Sequence, residues 1–254
     1  MMGWASGRHA LITGGGSGIG AATARMLAAK GAKISLLGRR REPLDAIASE
    51  IGASAFACDI TDRDAMEAAF AQARDANGAF DYVILNAGIG DSAPFVRTTR
   101  ASFDAIIATN LTAVFDGAQL ALADLLQGEG KRLIVVASVA GLKGGAYAAP
   151  YVASKHGVVG LVKSLALEFA KTNLTINAIC PSFVDTPMVD DSAARISRVT
   201  KRSDDESRAA LAALNANGRL ITAEEVAASI LNLCHPLSGS INGACVTIDG
   251  GTSA

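Results

Sequence analysis

Tyr151 and Lys155 stand four residues apart at the start of a stretch with helical periodicity, so both face one way. A free phenol titrates near pH ~10 and an ammonium near ~10.4. A cation held beside the phenol favours the phenolate and lowers its pKa, which equips Tyr151 to trade protons near neutrality. Ser138 follows a short apolar run, and its hydroxyl is expected at the end of a strand. There it can donate to a carbonyl oxygen on which negative charge develops. Taken alone, the tyrosine–lysine pair is bland, and a solvent-exposed helical pair is its usual reading.

A second cluster of small residues points to a ligand with phosphates. The run Thr13-Gly14-Gly15-Gly16-Ser17-Gly18-Ile19-Gly20 joins a strand pattern to a helix pattern. Backbone without Cβ atoms can approach a diphosphate closely, and a helix N-terminus offers amide donors and positive dipole. With strand before and helix after, the turn predicts dinucleotide binding through Gly14, Gly16, Ser17, Gly18, Ile19 and Gly20. The glycines are not followed by Lys-Ser/Thr, which excludes a nucleoside-triphosphate loop, and the chain has no G-x-S-x-G hydrolase elbow. The second strand pattern ends in Gly38-Arg39-Arg40-Arg41, without the acid that would hold a ribose 2′-hydroxyl. Guanidinium suits a 2′-phosphate, so NADP(H) is favoured over NAD(H), with Arg39 as the contact. The bland reading is a solvated basic start to the next helix. Asp59 and Ile60, after the third strand pattern, and Asn86-Ala87-Gly88, after the fourth, are expected on the adenine side.

Composition bounds the rest. The 254 residues are 50% hydrophobic and 19% charged, with 23 Lys plus Arg against 24 Asp plus Glu. That balance predicts no nucleic-acid partner and excludes disorder. The cysteines at 58, 180, 234 and 245 form no CxxC pair and the three histidines are scattered, so no metal site is expected. Neither a secretory apolar run nor a membrane span is apparent, which predicts a cytoplasmic chain without a membrane partner.

Short apolar runs alternate with longer amphipathic ones. Strands are expected over 9–12, 33–37, 53–58, 81–85, 132–137, 175–180 and 244–248. Helices are expected over 18–30, 42–51, 62–76, 100–127, 151–171 and 223–234. This alternation predicts one α/β domain over 1–254, a doubly wound parallel sheet of seven strands with helices on both faces. Residues 188–218 break the rhythm with many charges, and their place after a strand end predicts a small helical lid over a substrate cleft, against a solvated helix pair.

Together these features resemble the short-chain dehydrogenase/reductase family. The matching motifs are Thr13-Gly14-xxx-Gly18-x-Gly20, Asn86-Ala87-Gly88, Asn110, Ser138, Tyr151-xxx-Lys155 and Asp249-Gly250-Gly251, in order along nearly the whole chain. The resemblance implies a Rossmann-type oxidoreductase that moves a hydride between nicotinamide and a carbonyl or secondary alcohol. It implies that Tyr151 gives or takes the proton, that Lys155 lowers its pKa and holds the nicotinamide ribose, and that Ser138 polarises the carbonyl. Asn110 would help hold a proton-relaying water. Pro181, Val184 and Thr186 match the loop around the nicotinamide carboxamide, although Pro181-Ser182 replaces the family's usual Pro-Gly. Members of this length are commonly homotetramers packed through the helices here expected at 100–127 and 151–171, and Ala153, Gly157 and Gly160 suit close packing.

The substrate is read more coarsely. Residues 89–95, 140–150 and 188–218 are expected around it. The small, apolar loop at 141–147 suits an acyl group, and Arg195, Arg198, Lys201 and Arg202 suit a phosphorylated carrier. The chain resembles bacterial members acting on 3-oxoacyl or 3-hydroxyacyl thioesters. A free ketone, sugar or aromatic alcohol is the alternative, and a non-catalytic nucleotide sensor a remote third.

Overall fold

The computed structural model describes residues 3–253. Seven strands, β1 (His9–Thr13), β2 (Lys33–Gly38), β3 (Ser54–Ala57), β4 (Tyr82–Leu85), β5 (Lys131–Val136), β6 (Leu174–Pro181) and β7 (Cys245–Ile248), form one parallel sheet. Their order is β3-β2-β1-β4-β5-β6-β7. Every residue of β1, β4, β5 and β6 is buried. This is why those strands read as continuous apolar runs rather than alternating ones. The helices are α1 (Gly18–Ala28), α2 (Arg41–Ile51), α3 (Arg63–Asn77), α4 (Arg100–Ile107), α5 (Ala113–Leu125), α6 (Ala149–Glu168), α7 (Pro187–Thr200), α8 (Asp204–Ala212) and α9 (Ala223–Cys234).

The sheet separates two apolar cores. One face packs Leu11, Val83, Leu133 and Ile176 against Phe70, Ala118 and Val162 of α3, α5 and α6. The other packs Ile12, Leu36, Ile84 and Ile179 against Leu27, Leu44 and Ile230 of α1, α2 and α9. Strand order reverses between β1 and β4. The glycine-rich turn leaves β1 and the Asn86-Ala87-Gly88 turn leaves β4, so both flank the point where open α/β sheets hold ligands.

One expectation needs correction: the helix expected over 100–127 is interrupted by a π-turn at Ala108–Thr112. Within Arg100–Leu125 an 18-residue window reaches a mean hydropathy of 1.3, enough by length and composition alone to cross a membrane. Its Ile106, Asn110, Ala113, Val114, Ala118, Ala121 and Leu125 are buried, and it packs as a core helix. Residues 188–218 hold most of α7 and all of α8, which share a small core. Val189 and Ala193 of α7 meet Leu211 of α8 in a small core with Phe183, Ile196 and Leu220 at its edge. A capping box between Ser203 and Glu206 starts α8.

Candidate active site

The glycine-rich turn is held open for a ligand. Helix α1 starts at Gly18 behind Ser17, whose side chain makes no cap hydrogen bond, and its first turn carries no acid. The first amides of the helix are therefore unclaimed and their positive end is unscreened. Gly14 sits at φ 67°, and a Cβ on Gly20 would stand 2.3 Å from the Gly14 carbonyl oxygen and 2.7 Å from Asn86 Nδ2. The turn is tied to β4 through Asn86. Its Nδ2 donates to the Thr13 carbonyl at 2.9 Å, while the amides of Asn86 and Ala87 donate to Thr13 Oγ1 at 2.9 and 3.1 Å. Gly18 lies against Thr186, whose Cγ2 a Cβ there would meet at 2.8 Å, which brings the loop after β6 to the turn.

After β2, Arg39 is exposed in the turn that faces Asp59. Arg41 is engaged in an i,i+4 pair with Asp45, which leaves Arg39 and Arg40 outside the ion pairs of the described residues. The main cause of the low Asp59 pKa is its own turn, in which the Thr61 amide and hydroxyl donate to Oδ1 at 3.0 and 2.8 Å. Asp62 is the N-cap of α3 and accepts from the Ala65 amide at 3.1 Å. Ile60 is buried between them.

Ser138, Tyr151 and Lys155 gather where β5 ends and α6 begins. Ser138 Oγ accepts from the Ala140 amide at 3.1 Å and donates to the Pro181 carbonyl at 3.3 Å, which links the ends of β5 and β6. Lys155 is 4% exposed; its Nζ donates to the Val136 carbonyl at 2.9 Å and stands 5.7 Å from the Tyr151 ring centre. Desolvation brings this ammonium down to about 8. The sequence predicted an acidified phenol, and the structure gives the opposite net direction. Burial pushes Tyr151 up, Ser138 pulls it partly back, and Lys155, turned to Val136, is not among the causes.

Asn110 lies at the centre of the π-turn and is fully buried. Its Oδ1 accepts from the Ile89 amide at 2.9 Å and its Nδ2 donates to the Ile89 carbonyl at 2.9 Å, so it clamps the loop after β4. A Cβ on Gly88 would meet Asn110 Oδ1 at 3.3 Å and Lys155 Nζ at 3.8 Å, which places the amide and the ammonium on one small patch. Sequence reasoning missed Ser154. Its Oγ donates to the Tyr151 carbonyl at 2.7 Å and accepts from Asn110 Nδ2 at 3.3 Å. A buried serine between the tyrosine and the lysine was the available signal.

The cleft mouth departs from expectation in another way. Arg195 does not offer its charge to a carrier. It reaches from α7 to Asp91 Oδ1 at 2.6 Å, across to the loop after β4. Ser102 Oγ donates to the other oxygen of Asp91 at 2.8 Å. Arg198, Lys201 and Arg202 remain exposed. Arg208 of α8 pairs with Asp185 and Asp190, which anchors α8 to the start of α7. The Ala93 amide donates to the Tyr147 carbonyl at 2.8 Å, with Tyr147 at φ 63° and largely exposed. Gly157 fits against Leu111 of its own chain, where a Cβ would stand 2.8 Å from Leu111 Cδ2, whereas Gly160 faces open space.

Residues 8–197 match the model of the short chain dehydrogenase family. The chain belongs to the short-chain dehydrogenase family. Over 248 residues it is 34% identical to nodulation protein G of Rhizobium sp. (strain N33), covering 97% of each chain. It is 36% identical over 256 residues to levodione reductase of Leifsonia aquatica, covering 97% of this chain and 94% of that one. It is 34% identical over 244 residues to the 3-oxoacyl-[acyl-carrier-protein] reductase MabA of Mycobacterium tuberculosis (strain ATCC 25618 / H37Rv), covering 96% and 92%. Among solved structures, a variant of actinorhodin polyketide ketoreductase with NADPH superposes with a TM-score of 0.93 at 32% identity over 99% of both chains. Like other short-chain dehydrogenases, this chain is an NAD(P)-dependent oxidoreductase with a Rossmann-like sheet.

Proposed function

We propose that this short-chain dehydrogenase uses NADPH to reduce the keto group of a 3-oxoacyl thioester. The observation that carries the chemistry is the half-buried Tyr151 phenol, held above its ordinary pKa by desolvation, next to Ser138 at the sheet end that the glycine-rich turn also borders. NADPH, when bound, would supply the hydride. Tyr151 then delivers its proton to the carbonyl oxygen, and Ser138 Oγ turns from the Pro181 carbonyl to donate to the same oxygen. Lys155 would hold the nicotinamide ribose and, with Asn110, a water that reloads the phenol. Ser154 fixes the Asn110 amide relative to the tyrosine backbone.

Gly14, Gly16, Ser17, Gly18, Ile19 and Gly20 cradle the diphosphate on the unclaimed amides of α1. Arg39 would hold the 2′-phosphate, Asp59, Ile60, Asn86, Ala87 and Gly88 would line the adenine side, and Pro181, Val184 and Thr186 would hold the carboxamide. The exposed, ion-pair-free Arg39 supports NADP(H) over NAD(H).

The thioester reading is supported by relatives named as 3-oxoacyl and ketoacyl reductases and by an apolar mouth where Met188 stands over Gly90, close enough that a Cβ there would meet its Sδ at 3.6 Å, and Leu142 is part-exposed. Similarity to levodione reductase favours a second reading, a free cyclic ketone. Residues 188–218 act as the lid within a single domain, and the exposed Phe103, Phe115 and Leu167 on α4, α5 and α6 support a homotetramer.

Purified protein is mixed with NADPH and either acetoacetyl-CoA or a cyclohexanedione, and absorbance at 340 nm is followed. Turnover of the thioester is the expected result. Turnover confined to the dione replaces the substrate reading, and none with either, while NADPH still binds, refutes both. Tyr151→Phe is expected to lose at least a hundredfold in kcat while still binding cofactor.

A further inference from the structure

The edge of the sheet opposite the catalytic cleft carries a row of polar side chains that the oxidoreductase chemistry does not use. Tyr82, Arg132 and Thr175 are direct register partners across β4, β5 and β6. All three share one face, and all three lie at the N-terminal ends of their strands. Arg132 is 3% exposed and Thr175 5%. The row belongs to the wall of a cleft of about 630 Å³ that Arg8, Asn173, Asn242 and Cys234 also line.

Two independent features of this cleft are left unsatisfied by the protein itself. The first is charge. The hydrogen bonds of Arg132 to described residues all end on main-chain carbonyls, those of Leu233 at 3.0 Å, Lys131 at 2.9 Å and His235 at 3.4 Å. Two of these carbonyls close the C-terminal end of α9, whose dipole offers about half a negative charge. A buried guanidinium so placed is left without its counterion, and burial is the leading influence that lowers its pKa. The neighbouring carboxylate does not serve it, because Asp81 is taken by Arg8 at 2.8 Å and Lys131 at 3.0 Å. The second feature is Thr175 Oγ1, a buried hydroxyl with no hydrogen-bond partner among the described residues. Leaving such a group unpaired forfeits its hydration with nothing in return, so natural chains rarely keep one without use.

We propose that this cleft is a second ligand site, which takes a small oxyanion, a phosphate or a carboxylate, over the Tyr82–Arg132–Thr175 row. The ligand supplies the missing charge to Arg132, whose fork has two N–H groups beyond those given to carbonyls. Tyr82 and Thr175 contribute neutral donors. Burial raises the Tyr82 phenol to about 12, so it stays a donor at any working pH. Arg8 at the rim adds a second positive charge, partly neutralised by Asp81, and the exposed Glu129 on the same rim selects against bulky polyanions.

Calorimetric titration with inorganic phosphate, and separately with succinate, tests the site at fixed ionic strength and with saturating NADPH to occupy the cofactor cleft. A saturable heat with one of the two anions is expected, and which anion gives it identifies the source. Tyr82→Phe and Thr175→Val each keep the shape of the side chain and are expected to weaken that binding about five- to tenfold. Arg132→Gln is expected to abolish it. No saturable binding of either anion overturns the proposal. Binding that Tyr82→Phe and Thr175→Val leave unchanged also overturns it, since the anion then sits elsewhere. Because the two conservative variants suffice to decide between these outcomes, the proposal does not depend on Arg132→Gln folding.

Discussion

Replacing Lys155 with methionine separates the cost of the site from its use. The ammonium is buried, and its pKa falls from 10.5 to about 8. At pH 7 the folded protein therefore keeps a proton that burial disfavours. The drop corresponds to about 3 kcal/mol at 1.36 kcal/mol per unit. The sign follows from proton counting. Between about pH 8 and 10.5 the unfolded chain binds the Lys155 proton and the folded chain does not, so this group adds stability as pH rises through that window. Below it the full penalty is present. Lys155→Met carries neither proton, and the hydrogen bond to the Val136 carbonyl that it loses is a nearly constant offset. Urea unfolding of both proteins without cofactor, at pH 7, 8, 9 and 10, gives the difference directly. The parent is expected to gain on the variant by up to about 3 kcal/mol across the series, while the variant stays inactive throughout. A difference that is flat with pH, or that moves the other way, refutes the claim that the ammonium is held at a loss.

Other outcomes follow from the same geometry. Gly20→Ala puts a methyl 2.3 Å from the Gly14 carbonyl oxygen, so the turn must shift; a loss of about 1–3 kcal/mol in unfolding and at least tenfold weaker NADPH binding by fluorescence titration are expected. Arg39→Ala is expected to erase a preference for NADPH over NADH of roughly tenfold or more, read from the two dissociation constants. Arg195→Ala cuts the bridge to Asp91; both side chains are more than a third exposed, so stability should change by no more than about 1 kcal/mol. Its larger effect is expected in hydrogen exchange, with faster exchange in α7 and the loop after β4.

Much of the fold was legible because burial on both sides of a parallel sheet leaves a plain mark. The run from His9 to Thr13 is apolar around a single histidine, which the structure satisfies with Gly78 and Ser35. Strand ends fell within a few residues of the structure, and the glycine-rich turn was readable because its spacing is forced by contacts such as Gly20 against Gly14. What was hidden depends on partners distant in sequence. Nothing around Arg195 announces that Asp91, 104 residues away, takes its charge. The π-turn around Asn110 has no compositional signature, since it differs from an α-helix only in which carbonyl each amide meets. The phenol of Tyr151 was misread in direction because spacing shows that a lysine is near but not that its ammonium points to Val136, nor how dry the place is.

The wide turn at Ala108–Thr112 also constrains how this chain can drift. One surplus residue is stored there, and removing any of the five would let the helix wind regularly from Arg100 to the end of α5. Because the wide turn absorbs that residue, such a deletion would leave Ala113 and Ala118 on the sheet and would cost the site instead, since Asn110 would lose the widened backbone from which its amide grips Ile89.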